Sequence, residues 1–79
     1  MDFSNQNILI TGSADGLGFA ISRAFSNKKA NLYLVDINYE KLIKNNIFNS
    51  INIECDLSDI ESVKNLIEKL KEDKIYIDI

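Results

Sequence analysis

The chain has no proline and no histidine, and only one cysteine and three glycines among its 79 residues. A chain without proline and this poor in glycine does not have the composition of a linker or a disordered segment. The single Cys55 excludes an internal disulfide and reads as a small buried hydrophobe without a redox role. No apolar run approaches the roughly 18 to 20 residues that a membrane span needs. The opening stretch, residues 1–7, is polar and lacks the basic and apolar regions of a secretion signal. Together these absences make a reducing cytoplasm the expected compartment. Positive charge is also in short supply: nine Lys and Arg against twelve Asp and Glu leave a formal net charge of −3, with a pI near 4.7. Such a balance offers no electrostatic reason to bind nucleic acid or an anionic membrane. There are no repeats and no low-complexity segments.

What remains is a globular composition, 46% hydrophobic and 27% charged, in a chain long enough for one small domain. A domain of this size buries only about 60% of its unfolded surface. Short apolar runs alternate with amphipathic stretches. Ile8 to Thr11 reads as a first strand. Leu17, Ala20, Ile21, Ala24 and Phe25 recur at helical spacing and predict a helix with that face buried, ending near Asn27 to Lys29. Leu32 to Val35 is a continuous apolar run, the signature of a strand covered on both faces. Tyr39 to Lys44 makes a short helix, and Ile51, Ile53 and Cys55 alternate with Asn52 and Glu54 as a third, edge-like strand. Ser58 with Glu61 forms a capping box, followed by Val63, Leu66, Ile67 and Leu70 at helical spacing. Ile75 to Ile79 reads as the start of a fourth strand. The order β-α-β-α-β-α-β calls for α/β architecture: a doubly wound parallel sheet, incomplete here, with right-handed crossovers and helices on both faces.

The chemistry concentrates in Thr11 to Gly18, T-G-S-A-D-G-L-G, between the first strand and the first helix. Gly12, Gly16 and Gly18 allow a sharp bend and a close approach of backbone to a ligand. The helix that follows directs its free N–H groups and positive dipole end at the same place, where a pyrophosphate is the usual occupant. Asp36 lies at the end of the second strand, 18 residues after Gly18, close to the spacing at which a carboxylate meets the adenosine ribose. It would accept hydrogen bonds from ribose hydroxyls and repel a 2′-phosphate. The next residue, Ile37, is not a cation that could neutralise one, and Asp15 adds a second negative charge on that side. NAD is therefore the expected cofactor, with NADP disfavoured.

The glycine spacing G-x-x-x-G-x-G departs from the G-x-G-x-x-G dinucleotide fingerprint. T-G-S-A-D-G-L-G after I-L-I resembles instead the T-G-x-x-x-G-x-G turn of the classical short-chain dehydrogenase/reductase family, and the likeness extends over nearly all of the chain. The resemblance implies a Rossmann-type NAD(P)-binding domain over residues 1–79. It further implies that Thr11 steadies the glycine turn, that Ser13 and Leu17 line the pyrophosphate and ribose, and that Asp36 selects the cofactor. Asp56, followed by Leu57, is similar to the family's aspartate that contacts the adenine amino group. The same aspartate also reads as a helper in capping the helix that follows it. Lys41, Lys44 and the charges from Glu68 to Lys74 read as solvated helix faces.

The family's chemistry uses a serine, a tyrosine and a lysine four residues after the tyrosine. Here Tyr33 is followed four residues on by Ile37, Tyr39 by Ile43, and Tyr76 has no such successor. With no histidine either, no proton carrier for hydride transfer stands in their place. The expectation is a cofactor-binding N-terminal part of an oxidoreductase that interconverts carbonyls and alcohols, not catalytic by itself. The alternative is a non-catalytic nucleotide-binding or interaction module. Self-association or pairing with a partner chain through the exposed sheet edge is expected on either reading.

Overall fold

A computed structural model describes residues 3–79. Three parallel strands, β1 (Asn7–Thr11), β2 (Asn31–Asp36) and β3 (Ser50–Glu54), lie side by side in that order. Between and after them run α1 (Gly16–Ser26), α2 (Tyr39–Asn45) and α3 (Ile60–Glu72). The register pairs Ile8 with Leu32 and Thr11 with Val35, then Val35 with Ile53 and Asp36 with Glu54. The C-terminal ends of all three strands therefore meet at one edge. In the open α/β sheets this is the edge that binds ligands.

Each face of the sheet carries its own core. Ile8, Ile10, Ala30, Leu32 and Leu34 pack with Leu42 of α2, and Phe3, Phe25 and Ile47 close over them. On the other face Val35, Ile53 and Cys55 meet Leu66 of α3, flanked by Val63 and Leu70. β2, the central strand, is buried from both sides at Leu34 and Val35, which accounts for its unbroken apolar run. Helices on both faces of a parallel sheet make this a doubly wound α/β unit. Among the described residues no helix is long and apolar enough to cross a membrane.

Three expectations need correction. Residues 75–79 do not form a strand. They reach the far side of β1 through three backbone bonds: Asp78 N–H (2.8 Å) and Ile79 N–H (3.3 Å) both donate to the Asn7 carbonyl, and Leu9 N–H donates to the Ile79 carbonyl (3.0 Å). The Asn7 side chain and N–H are occupied by the Tyr76 carbonyl and the Asp78 carboxylate instead of by a ladder.

The apolar stripe of α1 is not its buried face. Leu17 is 77% and Ile21 37% exposed, while Ser22 is fully buried. Gly18 sets this rotation: a Cβ there would fall on the Gly12 carbonyl oxygen and 2.7 Å from its carbon. α1 thus presses its smallest side against the turn, and Ser22 satisfies its hydroxyl on the Gly18 carbonyl at 2.8 Å. The third correction concerns α3, which is capped by Asp59, whose carboxylate accepts from Glu61 N–H. The Ser58 hydroxyl donates to Asp56 Oδ1, and Ser58 itself lies one residue before the N-cap position.

Candidate functional site

The glycine turn leaves β1 after Thr11 and is strapped to the end of β2. Gly12 and Gly16 both adopt positive φ (61° and 54°), a conformation that other residues enter only with strain. Between them Ser13 is buried, and its N–H and hydroxyl both donate to the Val35 carbonyl at 3.2 Å. Ala14 N–H donates to Asp36 Oδ2 at 3.0 Å, and the Asn45 side chain donates to the Ala14 carbonyl at 2.9 Å. The turn is thus held from two sides, by the strand and by the last residue of α2.

Asp36 occupies the centre of this arrangement. Its second oxygen accepts from Asn38 N–H at 2.9 Å, so the carboxylate bridges the glycine turn and the entry to α2. Two of a carboxylate's roughly four acceptor positions are used in this way. Asn38 in turn caps α2, its side chain accepting from Lys41 N–H at 3.2 Å.

A cleft of about 220 Å³ opens at this edge, lined by Gly12, Val35, Asp36, Ile37, Cys55, Asp56, Leu57 and Ser58. It brings together five of the residues singled out from the sequence: Gly12, Asp36, Ile37, Asp56 and Leu57. The β2–β3 register explains the meeting, since Cys55 N–H continues the ladder onto the Asp36 carbonyl at 3.2 Å. Asp56 Oδ1 accepts from both the hydroxyl (2.6 Å) and the N–H (3.0 Å) of Ser58. These bonds, the hydroxyl's foremost, hold its carboxyl below the usual carboxylate range. Ser62 accepts from Asp56 N–H and donates to Cys55 Sγ, fixing the floor of the cleft.

Other candidate residues fall elsewhere. Thr11 ends β1 exposed, and the turn is steadied through Ser13. Ser13 is enclosed, with its hydroxyl already spent. Leu17 stands exposed on the first turn of α1, beside Gly16 and Gly18. Asp15 precedes α1 without capping it and forms an ion pair with Lys41 Nζ. Lys41 is exposed on its helix face, as the solvated-face reading expects, and there it compensates the charge of Asp15. Asn38, Asn45, Ser62 and the pairing of Lys41 with Asp15 escaped sequence reasoning. Of these only Asn38, an Asn directly before a helical stretch, carries a local signal, that of an N-cap. A larger hollow of about 370 Å³ lies at the opposite end of β2 and β3, between Asn31 and Ile51. Tyr33 is its sole ionisable side chain, so it offers little chemistry.

A glycine turn between first strand and first helix, facing a carboxylate at the end of the second strand, defines a nucleotide-binding α/β domain of the Rossmann type. Residues 6–79 match the family model described as short chain dehydrogenase, and the chain belongs to that family. It is 30% identical over 79 residues to the uncharacterized oxidoreductase YDL114W of Saccharomyces cerevisiae, covering 95% of this chain and 25% of that protein. It is 32% identical over 81 residues to the uncharacterized oxidoreductase YxbG of Bacillus subtilis, covering 95% and 30%. Among solved structures, 4-hydroxyisoleucine dehydrogenase complexed with NADH matches with a TM-score of 0.85 at 30% identity, over 94% of this chain and 31% of that one. A short-chain type dehydrogenase/reductase from Mycobacterium marinum matches with a TM-score of 0.84 at 20% identity, over 98% and 34%. That last likeness speaks to the fold alone. The chain spans about a third or less of the length of each of these proteins.

Proposed function

We propose that residues 1–79 are the NAD-binding part of an oxidoreductase that moves a hydride between the nicotinamide and a carbonyl or alcohol. The observation that carries this reading is the position of Asp36. Its carboxylate is held by Ala14 N–H and Asn38 N–H at the rim of the cleft, with acceptor positions left for the adenosine ribose. The adenine fits between Ile37 and Leu57, above Cys55, and the pyrophosphate lies over the turn from Gly12 to Gly18. A related structure holds NADH. A 2′-phosphate on the same ribose would approach the Asp36 carboxylate directly, which favours NAD over NADP. The cofactor supplies the hydride in such enzymes and the protein places the substrate. No Tyr-x-x-x-Lys pair occurs in these 79 residues, and on this reading their part is to hold the cofactor.

Thermal unfolding of the chain with added NAD and NADP tests this, because a ligand that binds only the folded state raises the midpoint. NAD raises the midpoint more than NADP does, and Asp36→Ala abolishes most of the NAD effect. A folded chain that responds to neither nucleotide, or whose response ignores Asp36, refutes the reading.

A second reading is a non-catalytic nucleotide-binding module whose sheet a partner completes. The observation in its favour is exposed apolar surface beside β1, at Leu17, Ile77 and Ile79.

A further inference from the structure

Lys41 belongs neither to the glycine turn nor to the strand end, yet it closes a ring of contacts around them. Asp36 Oδ2 accepts from Ala14 N–H, and Asp15, next in the chain, holds Lys41 Nζ. Lys41 N–H donates to the Asn38 side chain, and Asn38 N–H returns to Asp36 Oδ1. Two carboxylates and one ammonium therefore share one small circuit, with a summed charge of −1. Asp15 and Lys41 side chains are 64% and 48% exposed, so the bond between them is weak and open to competition. A lysine's long flexible stem lets its ammonium change partners.

We propose that Lys41 is a specificity-determining residue of the cofactor site: through its ion pair with Asp15 it sets how strongly the Asp36 edge rejects a phosphate on the adenosine 2′ oxygen. The proposal rests on the reading that Asp36 receives the ribose. The pyrophosphate is common to both nucleotides, so the summed charge of the circuit tells them apart only at the 2′ position. With a 2′-phosphate, bearing about −1.5 to −2 as phosphate monoesters do at neutral pH, it decides affinity. Asp15→Asn removes one carboxylate and releases the ammonium, bringing the circuit to zero. Lys41→Met leaves two carboxylates and brings it to −2. The double variant restores −1, although neither charged partner is then present.

The test is equilibrium binding of NAD and of NADP to the 79-residue chain, for the unmutated protein, both single variants and the double variant. Asp15→Asn tightens NADP about tenfold relative to NAD, the size of one gained charge-assisted contact, relief of the pyrophosphate being common to both nucleotides. The gain shrinks as salt is added, because the groups are exposed. Lys41→Met weakens NADP further, and the double variant returns the NADP-to-NAD ratio to that of the unmutated chain. A double variant that keeps the gain of Asp15→Asn overturns the proposal, since the benefit then comes from losing Asp15 without any part for Lys41. Single variants that leave the ratio where it was overturn it as well. Asp36→Ala is the separate control. If it leaves NAD affinity intact, the ribose reading fails, and this proposal with it. A variant that loses its far-ultraviolet circular dichroism is replaced by Asp15→Ser or Lys41→Gln, which carry the same charge changes.

Discussion

At the scale of single residues, the loop between β3 and α3 shows how one carboxylate reorganises its neighbours. Asp56 takes both the hydroxyl and the N–H of Ser58. Asp59 caps α3, and Asp56 is left as a staple of the loop beside the cleft. Since the bonds favour the ionised form, its carboxyl is held below the ordinary range. A depressed carboxylate contributes stability that is fully present above its unfolded pKa and is lost as pH falls through the lowered folded value. The loop therefore stays closed in mild acid and loosens only below the usual carboxylate range. Ser58→Ala removes the larger of the two causes. In a nuclear magnetic resonance titration of the Asp56 side-chain carboxyl, the midpoint moves up toward the ordinary value in that variant. A midpoint that stays low assigns the depression to some other group.

At the scale of elements, the packing of α1 depends on Gly18. Its missing side chain lets the first turn of the helix touch the Gly12 carbonyl, and that contact turns Ser22 inward and Leu17 outward. The neighbour is backbone, which cannot swing aside as a flexible side chain would. Gly18→Ala is expected to cost about 2 kcal/mol or more, within the range for overpacking, and to lower the midpoint by roughly 10 °C. It also displaces the turn that would hold pyrophosphate, so the NAD response falls together with stability. A variant as stable as the unmutated chain, measured by denaturant or heat, would show that the helix can shift without loss.

At the scale of the whole molecule, two thin cores on either side of one sheet leave little stability in reserve, of order 4 to 12 kcal/mol for a chain this long. Leu42 is the buried side chain that α2 contributes to one of those cores. Leu42→Ala should cost about 3 kcal/mol, visible as a large drop in the midpoint. A ligand at 100 times its dissociation constant adds about 2.7 kcal/mol to the folded state. Saturating NAD should therefore return the Leu42→Ala variant close to the unliganded midpoint of the unmutated chain. Failure of NAD to do so in a variant that still folds would separate binding from folding and count against the cofactor site.

The elements themselves were legible because their signals are local. Apolar runs and helical spacing placed β1, β2, β3 and all three helices, and T-G-S-A-D-G-L-G with Asp36 marked the two halves of the candidate site. The buried face of α1 was misread because periodicity reports which side of a helix is apolar, whereas the rotation follows from a close contact between Gly18 and Gly12. The strand expected at residues 75–79 reduced to bonds from Asp78 and Ile79, because the Asn7 N–H that would extend a ladder is taken by the Asp78 carboxylate. Lys41 with Asp15, Asn45 with Ala14 and Ser13 with Val35 join residues 22 to 31 apart in the chain. By itself the sequence determined the α/β order, the glycine turn and the carboxylate facing it, since backbone conformation and hydrophobic spacing are written residue by residue. Only the tertiary structure decided which charges compensate one another around that carboxylate, because electrostatic energy depends on distances in space that no spacing along the chain records.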